Sequence, residues 1–450
     1  MGKYFGTDGI RGRYGEELIH SDFAYRFGAG VGARIVEQKP DAQLRAVIGH
    51  DTRESSTELV QAIAGGLRSK GFEVQYLGVV PTPGVAMALL KENADVGVAV
   101  TASHNPASDN GYKLFDANGC KLSDSEESAI EALIDDQVAP SGELEAIEPN
   151  TADGASLYID KMSSLLPAGA LSGWKIVLDL ANGATSKTSP EVFRRWGAEI
   201  ISIGDQPDGM NINAGVGSEF SGPLGEAARV HGARLGIAHD GDGDRIVVCD
   251  ETGTTVDGDV LLGMLALHAL KNATLTNRTL VATIQSNLGL DFALKDAGGQ
   301  VVRADVGDRN VAQMMRSEGS NIGGESSGHI IFSDHATTGD GLLAAAKLIE
   351  LMMGANQPLS QIKKQVRLFP QKTANLIVEK KIPLEKLPNL QSAINKANEF
   401  LGQEGRVLIR YSGTEPKLRI LAEGRDLGLV NRIMEELIIS AKNDLVVIGD

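Results

Sequence analysis

Cysteine is nearly missing from this chain: Cys120 and Cys249 are the only two in 450 residues, far apart and unlike any CxxC spacing. That excludes a disulfide framework and a thiolate metal site, and a reduced, cytoplasmic protein is expected. A basic excess is missing too. Lys and Arg number 43 against 59 Asp and Glu, for a net charge of −16, so no surplus exists to displace counterions from nucleic acid. A small anionic partner would have to be held by local clusters of Arg and Lys against the global field. No apolar run approaches the roughly 18 residues that span a bilayer, which argues against a membrane. The start Met1-Gly2-Lys3-Tyr4-Phe5-Gly6-Thr7-Asp8 has no apolar signal core, and Gly6 spoils a myristoylation pattern. No Walker-type loop occurs. Aromatics are scarce at 4%, whereas 53 glycines and 42% hydrophobic residues suit an α/β protein with ample core and many tight loops. The length suggests roughly three or four domains.

What is present is a repeat. Ala46-Val47-Ile48-Gly49 reads as a strand, Ser55 to Lys70 as a helix, Gly71 as its stop, and Glu73-Val74-Gln75-Tyr76-Leu77 as a second strand. The order recurs at Lys175-Ile176-Val177-Leu178, a helix through Pro190 to Trp196, Gly197, and Glu199-Ile200-Ile201-Ser202-Ile203. It recurs again at Thr279-Leu280-Val281-Ala282, a helix through Asp291 to Ala297, Gly298-Gly299, and Val301-Val302-Arg303. Strand, helix, glycine stop, strand is a βαβ unit, which implies parallel strands. In each unit a glycine-bearing segment then runs into a polar loop: Ala94 to Gly97 into Ser103, Ala233 to Gly236 into Asp240, Ser320 to Gly323 into Glu325. Three related α/β domains would each present one loop at an equivalent place. The turn-rich stretch from Ala139 to Asn150 separates the first two, Asp250-Glu251-Thr252-Gly253 closes the second, and Gly354 to Pro358 ends the third. Beyond it, strands at Ala374 to Val378 and Val407 to Arg410, with helices near Leu390 to Leu401 and Leu427 to Ala441, make a smaller α+β domain. The expected domains are 1–150, 151–254, 255–367 and 368–450.

The first loop, Thr101-Ala102-Ser103-His104-Asn105-Pro106, follows the apolar strand Val96 to Val100. Pro106 has no N–H to continue a ladder, so the chain must turn. Ser103 should then sit on an exposed loop at a strand's C-terminal end, where open α/β sheets bind ligands. A hydroxyl there can carry a phosphoryl group; a plain polar turn is the alternative. Ser103 and His104 are not read as a dyad, since neighbours in extended chain point apart. The second loop is His239-Asp240-Gly241-Asp242-Gly243-Asp244-Arg245. Carboxylates at alternate positions repel one another unless a cation sits among them, and small hard cations favour oxygen ligands. A calcium loop fails because Arg245 stands where glycine is needed and the flanks read as strands. Arg245 beside the acids suggests a phosphate arriving next to Mg²⁺; a solvated acidic turn is the alternative.

The third loop contains Gly324-Glu325-Ser326-Ser327-Gly328, which matches a hydrolase nucleophile elbow, but that motif must enter a helix and Ile330-Ile331-Phe332 reads as a strand. It is better read as a polar loop in which Glu325 and Ser327 hold sugar hydroxyls and His329 approaches a phosphate or a moving proton, with a structural role for His329 left open. Gly28-Ala29-Gly30-Val31-Gly32-Ala33 fits a dinucleotide fingerprint but lacks the preceding strand. Ser21-Asp22 looks like the N-cap of one helix running to about Gln38, with the glycines as a packing face. Gly6 to Gly12 puts Arg11 in a glycine-rich turn that could approach Ser103. Arg410-Tyr411-Ser412-Gly413-Thr414-Glu415-Pro416, with Arg419, offers hydroxyls, N–H groups and guanidinium groups for a phosphate cradle. Asp305-Val306-Gly307-Asp308-Arg309 is a weaker candidate for the same task. An ordinary charged loop is the alternative in each case.

Taken together and in this order, the Ser103, Asp240, Glu325 and Ser412 motifs resemble the α-D-phosphohexomutases across the whole chain. Phe5 to Gly12 and Asn211-Ile212-Asn213-Ala214-Gly215-Val216-Gly217 are most similar to the branch acting on glucosamine phosphates. The resemblance implies three related α/β domains with mixed, largely parallel sheets around a central cleft, plus the C-terminal α+β domain. It implies an isomerase that carries phosphate on Ser103, with Mg²⁺ held by Asp240, Asp242, Asp244 and a phosphoryl oxygen. Glucosamine 6-phosphate would become glucosamine 1-phosphate through a hexose 1,6-bisphosphate intermediate and activator, supplying UDP-N-acetylglucosamine and peptidoglycan precursors. Lys113, in Asn110-Gly111-Tyr112-Lys113, and His329 match the general acid/base positions, and Lys113 would need a lowered pKa. Arg11 is expected beside them as a catalytic group, and Arg245, Arg309, Arg410, Arg419, Ser412, Gly413 and Thr414 as substrate-binding residues. Because position 326 varies among members, Ser326 leaves glucose or mannose phosphates as alternative substrates. A homodimer is left open. A serine hydrolase would instead be labelled at Ser326 and ignore chelators, and a pure metal binder would turn nothing over.

Overall fold

Short apolar runs that end on glycine or polar residues build three sheets of one design. The first has the order β1-β5-β4-β2-β3, from β1 (Ile10–Arg13), β2 (Arg45–His50), β3 (Glu73–Val79), β4 (Val96–Val100) and β5 (Asp109–Asp116). The second has the order β10-β9-β8-β6-β7, from β6 (Lys175–Asp179), β7 (Glu199–Ile203), β8 (Leu235–His239), β9 (Ile246–Cys249) and β10 (Thr255–Val256). The third has the order β12-β11-β13-β14, from β11 (Thr279–Thr283), β12 (Gln300–Ala304), β13 (Ile322–Gly324) and β14 (Ile330–Phe332). In each sheet the first strand of the βαβ unit pairs in parallel on both sides, and the next strand returns antiparallel. The sheets are therefore mixed. β4 and β8 are buried along their whole length, which is why β4 reads as an unbroken apolar run and β8 as one that ends only at His239. The three polar loops all fall between the last parallel strand and its antiparallel neighbour, so one topological position carries all three motifs.

The computed structural model describes residues 2–142, 153–412 and 415–449. Most of the expected first linker, its residues 143–150, lies outside them. Contacts divide the chain into two units, Met1–Gln285 with Ala297–Gln365, and Ser286–Asp296 with Val366–Asp450. The second sheet runs past Gly253, because Thr255 and Val256 pair with Cys249 and Val248. The helix Ser21–Gln38 is capped by His20, whose Nδ1 accepts the Phe23 N–H, rather than by Ser21 or Asp22. Its glycines are a packing face: a Cβ on Gly28 would lie 2.3 Å from the Ile63 carbonyl oxygen of the helix Ser56–Arg68.

The second unit holds an antiparallel sheet, order β16-β17-β15-β18, from β15 (Gln371–Val378), β16 (Gly405–Tyr411), β17 (Lys417–Gly424) and β18 (Val447–Gly449). The helices Pro388–Leu401 and Leu427–Asp444 share one apolar core with it. The helix Gly289–Asp296, which joins β11 to β12 in the chain, also belongs to this unit. There Phe292 meets Phe369 at 5.0 Å between ring centroids. Among the described residues no helix is long and apolar enough to cross a membrane.

Candidate active site

Ser103 lies just past β4 with φ +53, a left-handed conformation that side-chain-bearing residues seldom adopt. The turn is closed by the Asn105 N–H donating to the Ala102 carbonyl at 3.0 Å. Contrary to expectation the loop is not exposed here: Ser103 is fully buried, and its Oγ donates to Asp240 Oδ2 at 2.6 Å. Nor is the chain extended at this point. The left-handed turn brings Ser103 Oγ to 3.3 Å from His104 Nδ1, although Asp240 is the nearer partner.

Asp240, Asp242 and Asp244 follow β8, all buried, with carboxylate oxygens within 4.8 Å of one another. Gly241 permits the approach of the two loops, since a Cβ there would lie 2.6 Å from the Ser103 carbonyl oxygen. Lys113, on β5, donates to Asp242 Oδ2 at 2.7 Å and Asp244 Oδ2 at 2.6 Å, and Thr82 Oγ1 donates to Asp242 Oδ2 at 2.5 Å. Burial and repulsion from Asp242 and Asp244 push the Asp240 carboxyl well above its usual range. Burial also works to raise Asp244, but Lys113 and His329 hold it down at about 2. The lowering expected of Lys113 is reversed: burial favours the neutral amine, yet Asp242, Asp244 and Asp8 hold the ammonium well above its ordinary value. One ammonium does not satisfy the group. Oδ1 of Asp242 and Oδ1 of Asp244 are buried without a hydrogen-bond partner among the described residues. Two hard oxygen donors with unmet lone pairs and a third carboxylate under repulsion fit a divalent cation.

A cavity of about 260 Å³ opens beside this group, walled by Asp8, Asp244, Arg245, Glu325, Ser327 and His329 among others. Glu325 to His329 links β13 to β14 with no helix after it, which removes the nucleophile-elbow reading. Glu325 Oε1 accepts the Gly307 N–H at 3.0 Å, and Ser326 and Ser327 are exposed. The Arg245 N–H donates to Asp240 Oδ1 at 3.2 Å, and its guanidinium lies 3.5 Å from Glu219. Burial opposes that charge, but Asp240, Asp244 and Asp8 raise its pKa further. His329 Nε2 stands 3.4 Å from Asp308 and 4.0 Å from Asp244, and neither ring nitrogen has a hydrogen-bond partner among the described residues. Arg11 is not in a turn: it lies on β1, paired with Asp8. Lys121 bridges Asp8 and Asp308, so the first and third α/β domains meet at this wall.

Arg309 is not brought into the cavity. Its guanidinium pairs with Asp124 and with Glu127 at 2.7 Å and donates to the Leu122 carbonyl at 3.2 Å. In the second unit Arg410 and Arg419 are register partners on β16 and β17, which puts two cationic side chains on one sheet face. Ser412 is buried and its carbonyl accepts from Lys381 Nζ at 2.6 Å. Gly413 and Thr414 lie outside the described residues. Sequence reasoning missed Asp8, Thr82, Lys121 and Asp308 as members of the site. Asp8 and Asp308 sit inside glycine-flanked runs that could have flagged them; nothing local marks Thr82 or Lys121.

Most of the chain is matched, piece by piece, by models of phosphoglucomutase/phosphomannomutase: alpha/beta/alpha domain I at 2–140, domain II at 156–253, domain III at 257–369 and the C-terminal domain at 374–440. A solved phosphoglucomutase/phosphomannomutase family protein from Burkholderia thailandensis shares the fold, with TM-score 0.82, 23% identity, and coverage of 99% of this chain and 98% of that one. The chain belongs to this family, the α-D-phosphohexomutases, and is an isomerase that transfers phosphate within its substrate. It is 43% identical over 443 residues to phosphoglucosamine mutase of Pelobacter propionicus, covering 97% of this chain and 98% of that one. It is 44% identical over 448 residues to phosphoglucosamine mutase of Bartonella bacilliformis, covering 98% and 99%.

Proposed function

We propose that this chain interconverts glucosamine 6-phosphate and glucosamine 1-phosphate in the cytoplasm, through phosphoserine at Ser103 and a 1,6-bisphosphate, so feeding UDP-N-acetylglucosamine synthesis. The observation that carries the reading is the contact of Ser103 Oγ with Asp240 at 2.6 Å, beside two further buried carboxylates and a sugar-sized cavity. The amino-sugar assignment is supported by full-length relatives at 43% and 44% identity that bear that activity in their names.

Asp240, Asp242 and Asp244 would hold Mg²⁺, which when bound neutralises charge on the phosphoryl group in transit. The remaining work falls to the chain's own side chains. The Ser103 Oγ–P bond breaks as the phosphoryl group moves to a sugar hydroxyl. That hydroxyl gives up its proton, and Ser103 Oγ takes one. Lys113 and His329 would serve as general acid and base: Lys113 is present as the ammonium, although its raised pKa makes it a reluctant donor, and the His329 ring nitrogens have no partner among the described residues. Arg245 and Arg11 present guanidinium charge to the moving group, while Glu325 and Ser327 orient sugar hydroxyls. The bisphosphate then turns end for end, the second transfer runs in reverse, and phosphoserine is restored. Arg410, Ser412, Gly413, Thr414 and Arg419 would bind the phosphate that is not reacting.

Intact mass before and after incubation with a hexose 1,6-bisphosphate tests this. The native chain should gain one phosphoryl group on Ser103. Ser103→Ala should gain none and lose nearly all mutase activity with its melting temperature unchanged. Normal turnover by that variant would end the proposal.

A further inference from the structure

One buried guanidinium grips the Ser103 loop. The Arg53 side chain is fully buried and pairs with the equally buried Asp51 carboxylate at 2.9 Å. All five of its N–H donors are used. Nε donates to Asp51, Nη2 to the carbonyls of Ser103 at 3.1 Å and Asn105 at 2.8 Å, and Nη1 to those of Asp109 at 2.8 Å and Pro106. Three carbonyls of one short loop and that of the first residue of β5 thus converge on a single planar cation. The loop's N–H side is tied to the same pair. Thr101 Oγ1 donates to Asp51 Oδ2 at 2.7 Å and accepts the Ser103 N–H at 2.9 Å. From the second domain, Asn213 Nδ2 donates to the Ser103 carbonyl at 2.8 Å and to the Asn105 carbonyl at 2.9 Å.

Converging carbonyl dipoles repel, and a left-handed serine relaxes toward ordinary backbone unless its surroundings over-determine it. A lysine could not replace this clasp, because a point charge with three donors cannot meet four carbonyls in a fixed fork. We infer that Arg53, oriented by Asp51, is a positioning residue for phosphoryl transfer. It holds Ser103 in its left-handed conformation so that Oγ keeps its aim at Asp240 whether or not it carries phosphate. This rests on the reading of Ser103 as the phosphoryl carrier.

The test uses Arg53→Lys, Arg53→Met and Asn213→Ala, the last removing two loop bonds while sparing the buried ion pair. Each full-length protein is loaded with hexose 1,6-bisphosphate and chased, and Ser103 phosphorylation is followed by intact mass. Melting temperature, kcat and KM are measured alongside. Misplacing a reacting atom by about 1 Å costs on the order of a hundredfold. The expected result for both Arg53 variants is that loss in kcat per folded molecule, with KM little changed and phosphoserine lost to water several-fold faster. Asn213→Ala should shift the same quantities in the same direction by less. A merely structural Arg53 would lower the melting temperature and the active fraction but leave kcat per folded molecule and phosphoserine lifetime as they were, which overturns the inference. If the Arg53 variants fail to fold, Asn213→Ala decides, and an unchanged lifetime and kcat overturn it. Failure of the native protein to gain phosphate would overturn the phosphoserine reading, and the inference with it.

Discussion

Replacing Lys113 with methionine would remove the ammonium that lies 2.7 Å from Asp242, 2.6 Å from Asp244 and 3.4 Å from Asp8. At an effective dielectric of about 20, each short contact represents about 6 kcal/mol of attraction, much of which offsets the desolvation of the partners. Methionine preserves the packing of the stem, so the loss is electrostatic. Stranding the carboxylates of a buried pair costs about 3–5 kcal/mol. A divalent cation among the three aspartates would supply the missing charge, and it would bind the variant more tightly because no ammonium competes. Ligand at a hundred times its dissociation constant adds about 2.7 kcal/mol of stability. Urea unfolding followed by circular dichroism should therefore show Lys113→Met about 3–5 kcal/mol less stable than the native chain in chelator, and the gap should narrow by at least about 1 kcal/mol in saturating Mg²⁺. The same charge holds Asp244 at about 2, below its ordinary 3.8. That stability is present above pH 4 and lost as pH falls through 2, and the variant should lack it. A variant as stable as the native chain in chelator, or a gap indifferent to Mg²⁺, would refute the reasoning.

Two further predictions concern stability. Burial raises Asp340 to about 6 from 3.8, while its Oδ1 accepts from Tyr158 Oη at 2.7 Å and from the N–H groups of Leu342 and Leu343 at 3.0 Å each. The folded state then holds a proton that the unfolded chain has released, so stability falls as pH rises from 4 to 6, by about 3 kcal/mol. Asp340→Asn keeps the helix cap and should flatten that slope in urea midpoints measured from pH 4 to 7; an identical slope would count against the assignment. Gly28→Ala would place a methyl group 2.3 Å from the Ile63 carbonyl oxygen. Despite alanine's better helix propensity, it should destabilise the first domain by about 1–3 kcal/mol. An unshifted melting temperature would undo the packing reading of the glycine string.

The repeat was legible because each βαβ unit is local: an apolar run, a helix and a glycine stop lie within about thirty residues. The loops bearing Ser103 and Asp240 were legible for the same reason, since a strand's end and its polar continuation are contiguous. The third unit shows the limit. Its crossover helix, Gly289–Asp296, was expected to serve its own sheet, yet it groups with the C-terminal unit, because Phe292 finds Phe369 and Asn287 bonds the Phe369 backbone. Arg309 shows another. A guanidinium in a glycine-flanked turn looks anion-directed, but which anion it meets depends on Asp124 and Glu127, far away in the chain.

By itself the sequence determined the strand–helix–strand succession of each unit, the loops that carry hydroxyl, acids and sugar-facing groups, and through them the family, because all of these depend on residues close together in the chain. Only the tertiary structure decided that Ser103 is buried rather than exposed and that Lys113 is held charged. It alone paired Asp8, Lys121, Asp308 and His329, and set Arg53 in the middle of the Ser103 loop. The reason is physical. A charge's state and a side chain's partner are set by what surrounds it within a few ångströms, and in this fold those neighbours come from segments about twenty to nearly two hundred residues away.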